Sequence, residues 1–220
     1  AATLLTAHHR PDASWWKLAL GIVIVHVAGY NLYLWAKGRL LNTRSRSMIQ
    51  DLVLAVIPQF LLLCTVLGQP LGPAGDFLGL CLPLMLAVYR IGCLVSGCCY
   101  GRPNPNGIRY RAEQVQRAST RFRHFDPGPC PPGPVSPLQL VDAVAHLAAF
   151  TAVLLTALHS AGVALLPVYL LTYCVLRLPI DARRGHRHRP TYGPLSESQW
   201  TALLVAVVAT TWLTVSLLAR

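Results

Sequence analysis

Charge is what this chain has least of. Acidic residues number eight, and charged residues make up 12% of the 220, against 54% hydrophobic. A soluble domain carries roughly twice that charged fraction, so a soluble globular reading is excluded. Zinc-ribbon spacing is missing, as is any basic stripe interleaved with stacking aromatics. Nucleic acid is therefore not expected as a partner, despite a formal net charge of +11. The seven cysteines are odd in number and follow no framework spacing, which argues against a disulfide scaffold. The start of the sequence, through Asp12, is too polar for a cleavable signal peptide. No internal repeat is found.

What is present is a series of long uncharged runs separated by short charged stretches, each run near the ~20 residues needed to cross hydrocarbon. The expected fold is an all-α integral membrane protein, a single polytopic domain over 1–220. It has about six transmembrane helices, near 15–36, 50–67, 77–97, 137–158, 163–180 and 198–219. Pro58 is expected to kink the second, and Gly68–Gly75 reads as a tight, uncharged connection. A polar, arginine-rich loop, 101–136, separates the third helix from the fourth. Its end, Asp126–Pro134, is too proline-rich to be helical. The first, third and fifth loops are basic while the second and fourth carry almost no charge. Positive-inside counting thus puts the basic loops in the cytoplasm and both termini outside.

Two arginines stand at membrane depth. Arg90 lies in an otherwise uncharged stretch from Phe77 to Gly101, where a guanidinium costs several kcal/mol unless it is paired or reaches water. It either snorkels from a helix end or clamps an anion, since the planar fork fits phosphate and carboxylate oxygens and does not titrate away. Arg177 repeats the pattern. Asp181 and Arg184 follow it on one helical face, as an internal ion pair or as a polar wall. Gln139 and Asp142 sit where the fourth helix begins, with Pro137 and Ser136 suited to its first turn and cap. Asp142 either complements the positive end of that helix or serves a site. Gln199 opens the last helix. Ser196 before it reads as an N-cap, while the glutamine suits a hydrogen bond to a polar substrate at the interface. Cys93, Cys98 and Cys99 lie near Arg90. They are either small apolar packing residues or thiols made reactive by the guanidinium, which makes Cys93 and Cys98 candidate reacting groups. A metal site asks for more ligands than these. His26, His146 and His159 are scattered singly on apolar faces, so no metal and no cofactor are expected.

Four segments resemble, in order, those of bacterial prolipoprotein diacylglyceryl transferases. Arg90–Pro103 (RIGCLVSGCCYGRP) is similar to the signature that begins Arg-x-Gly-Asn and ends with a glycine and a basic residue, and Asp76 stands at the expected distance before it. Pro137–Ala143 (PLQLVDA) resembles the His-Pro-Ser-Gln-Leu-Tyr-Glu-Ala box. Arg177–Arg184 (RLPIDARR) resembles Arg-Phe-x-x-Glu-x-x-Arg, and Leu195–Gln199 (LSESQ) resembles the Ser-x-x-Gln that opens the last helix. Near the start, Trp15–Leu18 resembles an aromatic-Tyr-Gly entry to the first helix.

The resemblance implies a membrane-embedded transferase that moves diacylglycerol from phosphatidylglycerol to a cysteine thiol and releases glycerol phosphate. It belongs in the bacterial cytoplasmic (inner) membrane as a multi-pass protein. Arg90 and Arg177 take the catalytic role of stabilising the phosphate leaving group. Trp16, Gly101, Arg102, Gln139, Asp142, Asp181, Arg184 and Gln199 are the substrate-binding positions. An anionic phospholipid and a protein or small-molecule thiol acceptor are the implied partners. The sequence departs from the family at several of these places. Its His-Gly-Gly segment is not found, Ser136 stands for the histidine of the His-Pro box, and Cys93 stands for the asparagine. Cys98 stands for a glutamate, and Asp142 and Asp181 are each one methylene shorter than the family's acids. The family has seven helices and an outward-facing site. The alternative reading is a non-catalytic membrane protein that binds phospholipid or a partner, and a third is a small transporter or metal handler.

Overall fold

A backbone in hydrocarbon must satisfy its own amides, so apolar runs of this length fold as helices. The computed structural model describes residues 24–40, 49–121, 130–160, 162–184 and 191–218. The chain is all-α apart from short strands and falls into two units, Ala1–Leu78 and Gly79–Arg220. Among the described residues four helices are long and apolar enough to cross a membrane.

In the first unit a π-helical turn, Val25–Gly29, leads into α1, Tyr30–Leu40. Helix α2 spans Ile49–Val66 and continues through Pro58. Leu34, Val53, Ala55, Ile57, Phe60 and Cys64 are buried. Asp51 is buried with them, held by Lys37 Nζ at 2.8 Å and by the Tyr33 hydroxyl at 3.1 Å. Helix α2 ends on a left-handed residue, Gly68, with φ +65°. Its amide donates to Thr65 O at 3.0 Å and that of Gln69 to Cys64 O at 2.8 Å, the glycine C-cap that satisfies the last carbonyls.

Helix α3, Leu71–Ser96, begins six residues before the position 77 expected from sequence. Pro73 does not prevent this, because it falls in the first turn, where amides have no intrahelical acceptor. The helix continues into the second unit, where Gly79 meets the backbone of Leu165 and Leu166. A Cβ there would lie 2.7 Å from Leu165 C. Gly79→Ala is therefore expected to lower stability by about 1–3 kcal/mol, read as a thermal shift in detergent. A melting temperature equal to wild type would remove the argument for this close approach.

The rest of the second unit comprises β1 (Pro103–Ile108), α4 (Ala112–Arg121), α5 (Leu138–His159), α6 (Leu165–Ala182), the strands β2 (Thr191–Tyr192) and β3 (Leu195–Ser196), and α7 (Glu197–Leu218). β2 and β3 pair antiparallel. α6 packs against both α5 and α7. α7 buries Ser198, Ala202, Val205 and Ala209; the serine and the two alanines are small residues of the kind that let helices approach closely in a membrane. Leu204, Val207, Val208 and Leu218 are exposed, as lipid-facing side chains are. The polar segment 101–136 is not a plain loop where it is described. Gly101 N donates to Ser136 O at 2.9 Å, Ser136 N to Arg102 O at 3.0 Å and Asn104 N to Pro134 O at 3.0 Å. Tyr100, Tyr110, Val115 and Val135 form a small core beneath it, with Cys130 packed against them.

Candidate functional site

Burying charge without water requires partners, and the second unit gathers five charged groups in one place. Arg90 from α3, Asp142 from α5, and Arg177 and Asp181 from α6 are all buried, as is Arg184 just beyond α6. Arg90 and Arg177 are 1% and 2% exposed. Asp142 is the common anion. Its Oδ2 lies 2.5 Å from Arg90 Nε, 3.1 Å from Arg184 Nη2 and 3.7 Å from Arg177 Nη1. Asp181 Oδ1 lies 3.6 Å from both Arg177 Nη2 and Arg184 Nε. Its Oδ2 accepts from the hydroxyls of Ser196 and Ser198, each at 2.6 Å. Three guanidiniums among the described residues thus face two carboxylates, one more positive charge than negative. Among the described residues, Arg90 Nη2 and all three Arg177 nitrogens find no hydrogen-bond acceptor. Buried charged donors left in this state favour an anion that can accept from them.

The spacing within the helices builds this arrangement. Arg177 and Asp181 lie one turn apart on α6. An antiparallel bridge between Gly101 and Arg184 ties the start of the polar segment to the end of α6. Gly101 has no room for a side chain, since a Cβ would sit 2.9 Å from that of Ser136.

The sequence profile of prolipoprotein diacylglyceryl transferases matches residues 9–215. The chain belongs to the prolipoprotein diacylglyceryl transferase family. It is a multi-pass membrane transferase of lipoprotein biosynthesis, a class that works with a phospholipid donor and a lipoprotein acceptor. A search of curated proteins finds no match.

The family motifs do not all converge. Gln139 is buried beside the charged cluster but is held by its own contacts. Its Nε2 donates to Cys98 O and to the Tyr110 hydroxyl. Burial pushes the Tyr110 phenol up, keeping it neutral and able to donate or accept. Gln199 is committed to a reciprocal cap. Its Oε1 accepts from Ser196 N at 2.9 Å, while Ser196 Oγ accepts from Gln199 N at 3.3 Å. Ser196 therefore both caps α7 and holds Asp181. Ser196→Ala is expected to cost about 1–2 kcal/mol in a denaturation midpoint in detergent, with Ser196→Thr near wild type. Equal losses in both variants would show that the hydroxyl does not matter. Arg102 is exposed and donates to Ala182 O at 3.1 Å, closing the C-terminal end of α6. Asp76 lies in the first unit. Trp16 lies outside the described residues.

Sequence reasoning missed His146, which it left as a packed lone histidine. Its Nε2 is 3.5 Å from Asp142 Oδ1 and its Nδ1 is 3.3 Å from the Tyr169 hydroxyl. Its ring stacks on Tyr173, centroids 6.0 Å apart. The signal was the interval: Asp142 and His146 stand one turn apart on α5, and Tyr169, Tyr173 and Arg177 recur at the same interval on α6.

Cys93, Cys98 and Cys99 cluster at the end of α3, beside Arg90. The Cys99 thiol is held below its ordinary range, first by the neighbouring Cys93 and Cys98 thiols, then by the charges of Arg184 and Arg90.

Proposed function

We propose that this transferase takes phosphatidylglycerol as donor, in a bacterial cytoplasmic membrane, and binds its phosphodiester with Arg90 and Arg177. The observation that carries this reading is the pair of buried guanidiniums whose donors outnumber the acceptors around them. In the transfer, the acceptor sulfur bonds to the terminal glyceryl carbon. The bond from that carbon to the phosphate oxygen breaks, glycerol phosphate leaves with the electron pair, and the thiol proton passes to a base or solvent. Negative charge grows on the leaving phosphate. Fixed guanidiniums in a water-poor site stabilise it without reorganising. Asp142, Asp181 and Arg184 orient the two arginines. His146 stands behind Asp142, its Nε2 3.5 Å from the opposite oxygen. The exposed apolar faces of α3, α5 and α7 give the acyl chains a path from the bilayer to the headgroup site.

The test is mass spectrometry of purified protein in phosphatidylglycerol vesicles with a peptide carrying a lipobox cysteine. A thioether-linked diacylglyceryl peptide and glycerol phosphate are expected in equal amounts, both dependent on Arg90. Copurifying phospholipid with neither product would favour the non-catalytic binding reading. Glycerol phosphate without modified peptide would point to a different acceptor.

A further inference from the structure

The end of α3 places three sulfurs together, which the arginine chemistry does not require. The Sγ atoms of Cys93, Cys98 and Cys99 all lie within 4.8 Å of one another, with Cys93 and Cys98 buried and Cys99 half-buried. All three are free thiols. Ordinary helix termination accounts for two of them. Gly97, at φ +69°, ends α3 with its amide on Leu94 O at 3.3 Å and the Cys98 amide on Cys93 O at 3.1 Å. In such a cap the residues at the Cys93 and Cys98 positions commonly touch. Cys99 is not explained this way. It takes φ +60°, and it is the one non-glycine residue with positive φ among those described. That conformation is costly for a residue with a β-carbon and concentrates where structure serves a site. Here it turns a third thiol toward the first two.

We propose that Cys93, Cys98 and Cys99 form a three-thiolate site for a thiophilic d10 cation such as Zn²⁺, with its fourth position open. A zinc–sulfur bond of about 2.3 Å in tetrahedral geometry puts the sulfurs roughly 3.8 Å apart, within reach of the observed cluster by side-chain rotation. The charges close as well. Three thiolates and a divalent ion leave one negative charge, and Arg90 and Arg184 lie near enough to act on it. Among the described residues no histidine, aspartate or glutamate joins the three sulfurs, and three protein ligands with a free fourth position is the pattern of reactive rather than structural zinc sites. The position suits a thiol. An incoming thiol displaces the coordinated water and gives its proton to solvent, and its sulfur stays on the metal as thiolate, the nucleophilic form. This last step rests on the transferase reading above; the metal site does not.

The test uses the full chain in detergent with its thiols reduced and counted. After loading with Zn²⁺ and removal of excess, elemental analysis is expected to give one zinc per chain. Cys99→Gly is expected to lose it while folding normally, because glycine suits the left-handed backbone, and Cys174→Ser is expected to keep it. Substitution by Co²⁺ is expected to give thiolate charge-transfer absorption and tetrahedral bands that shift when the lipobox peptide is added. They should not shift with its serine analogue. No zinc on fully reduced protein, or equal zinc in Cys99→Gly, overturns the site. Zinc bound with no spectral response to the peptide overturns the open position alone, and leaves the arginine-dependent release of glycerol phosphate to be judged separately.

Discussion

Replacing Arg177 with alanine is expected to lower diacylglyceryl transfer by about 100- to 1000-fold, the effect of removing one preorganised donor from a developing negative charge. The fold should survive the change. Asp181, the acid one turn away, keeps Arg184 and the hydroxyls of Ser196 and Ser198, so no carboxylate is stranded. Arg177→Lys restores charge but not the planar fork, and is expected to recover only part of the rate. Arg90→Ala is expected to fall by a similar factor, and the double variant by less than the product, because in the proposed reaction both groups act on one leaving phosphate. The measurement is initial rate of glycerol phosphate release at saturating phosphatidylglycerol, with membrane insertion and melting temperature checked for each variant. Rates within tenfold of wild type in well-folded Arg177→Ala would remove that arginine from the chemistry.

The second large effect is on stability. Asp142 is approached by Arg90, Arg177 and Arg184. Without it, Arg90 loses the carboxylate that it pairs with, and Arg177 and Arg184 keep their contacts with Asp181. Breaking a buried pair by removing one partner typically costs about 3–5 kcal/mol, and Asp142→Ala is expected to fall in that range. Asp142→Asn keeps the volume and one carbonyl acceptor and should lose less. A further consequence separates this account from simple packing loss. An added anion that enters the site replaces the missing carboxylate, so millimolar inorganic phosphate should raise the melting temperature of Asp142→Ala more than that of wild type. A variant within about 1 kcal/mol of wild type and indifferent to phosphate would show that Asp142 does not organise the arginines.

Much of the site could be read from sequence because its residues recur at helical intervals. Arg177 and Asp181 had to share a face of α6 whatever the tertiary fold, and an arginine within an uncharged run had to find a partner. Arg184 lies past the end of that helix, where the interval no longer places it. Which partner was not legible. That Asp142 would be the common anion depends on how α3, α5 and α6 approach one another, and no local pattern encodes it. His146 was missed for the same reason. A histidine on an apolar face is ordinary until Tyr169, Tyr173 and Asp142 surround it. Gln199 shows the opposite case, since Ser-x-x-Gln carries a complete local explanation as a cap and its side-chain oxygen is used that way. The polar segment 101–136 read as loop because its strand pairing involves Gly101, Asn104 and Ser136, residues with little strand preference. Where it is described, backbone bonds between its two ends and the small core of Tyr100, Tyr110, Val115 and Val135 hold it.

The close crossing at Gly79 also has a mechanical side. Arg90 lies eleven residues further along the same helix, about 16 Å from that crossing at the usual rise per residue, with Pro83 between them. The crossing acts as a fulcrum and the helix as a lever with a guanidinium at its tip. A tilt of about 5° at Gly79 carries the tip by more than about 1 Å, a displacement that can cost a reaction about two orders of magnitude when geometry is tight. A methyl group added at the fulcrum would thus be felt in turnover even where the protein compensates for it in stability.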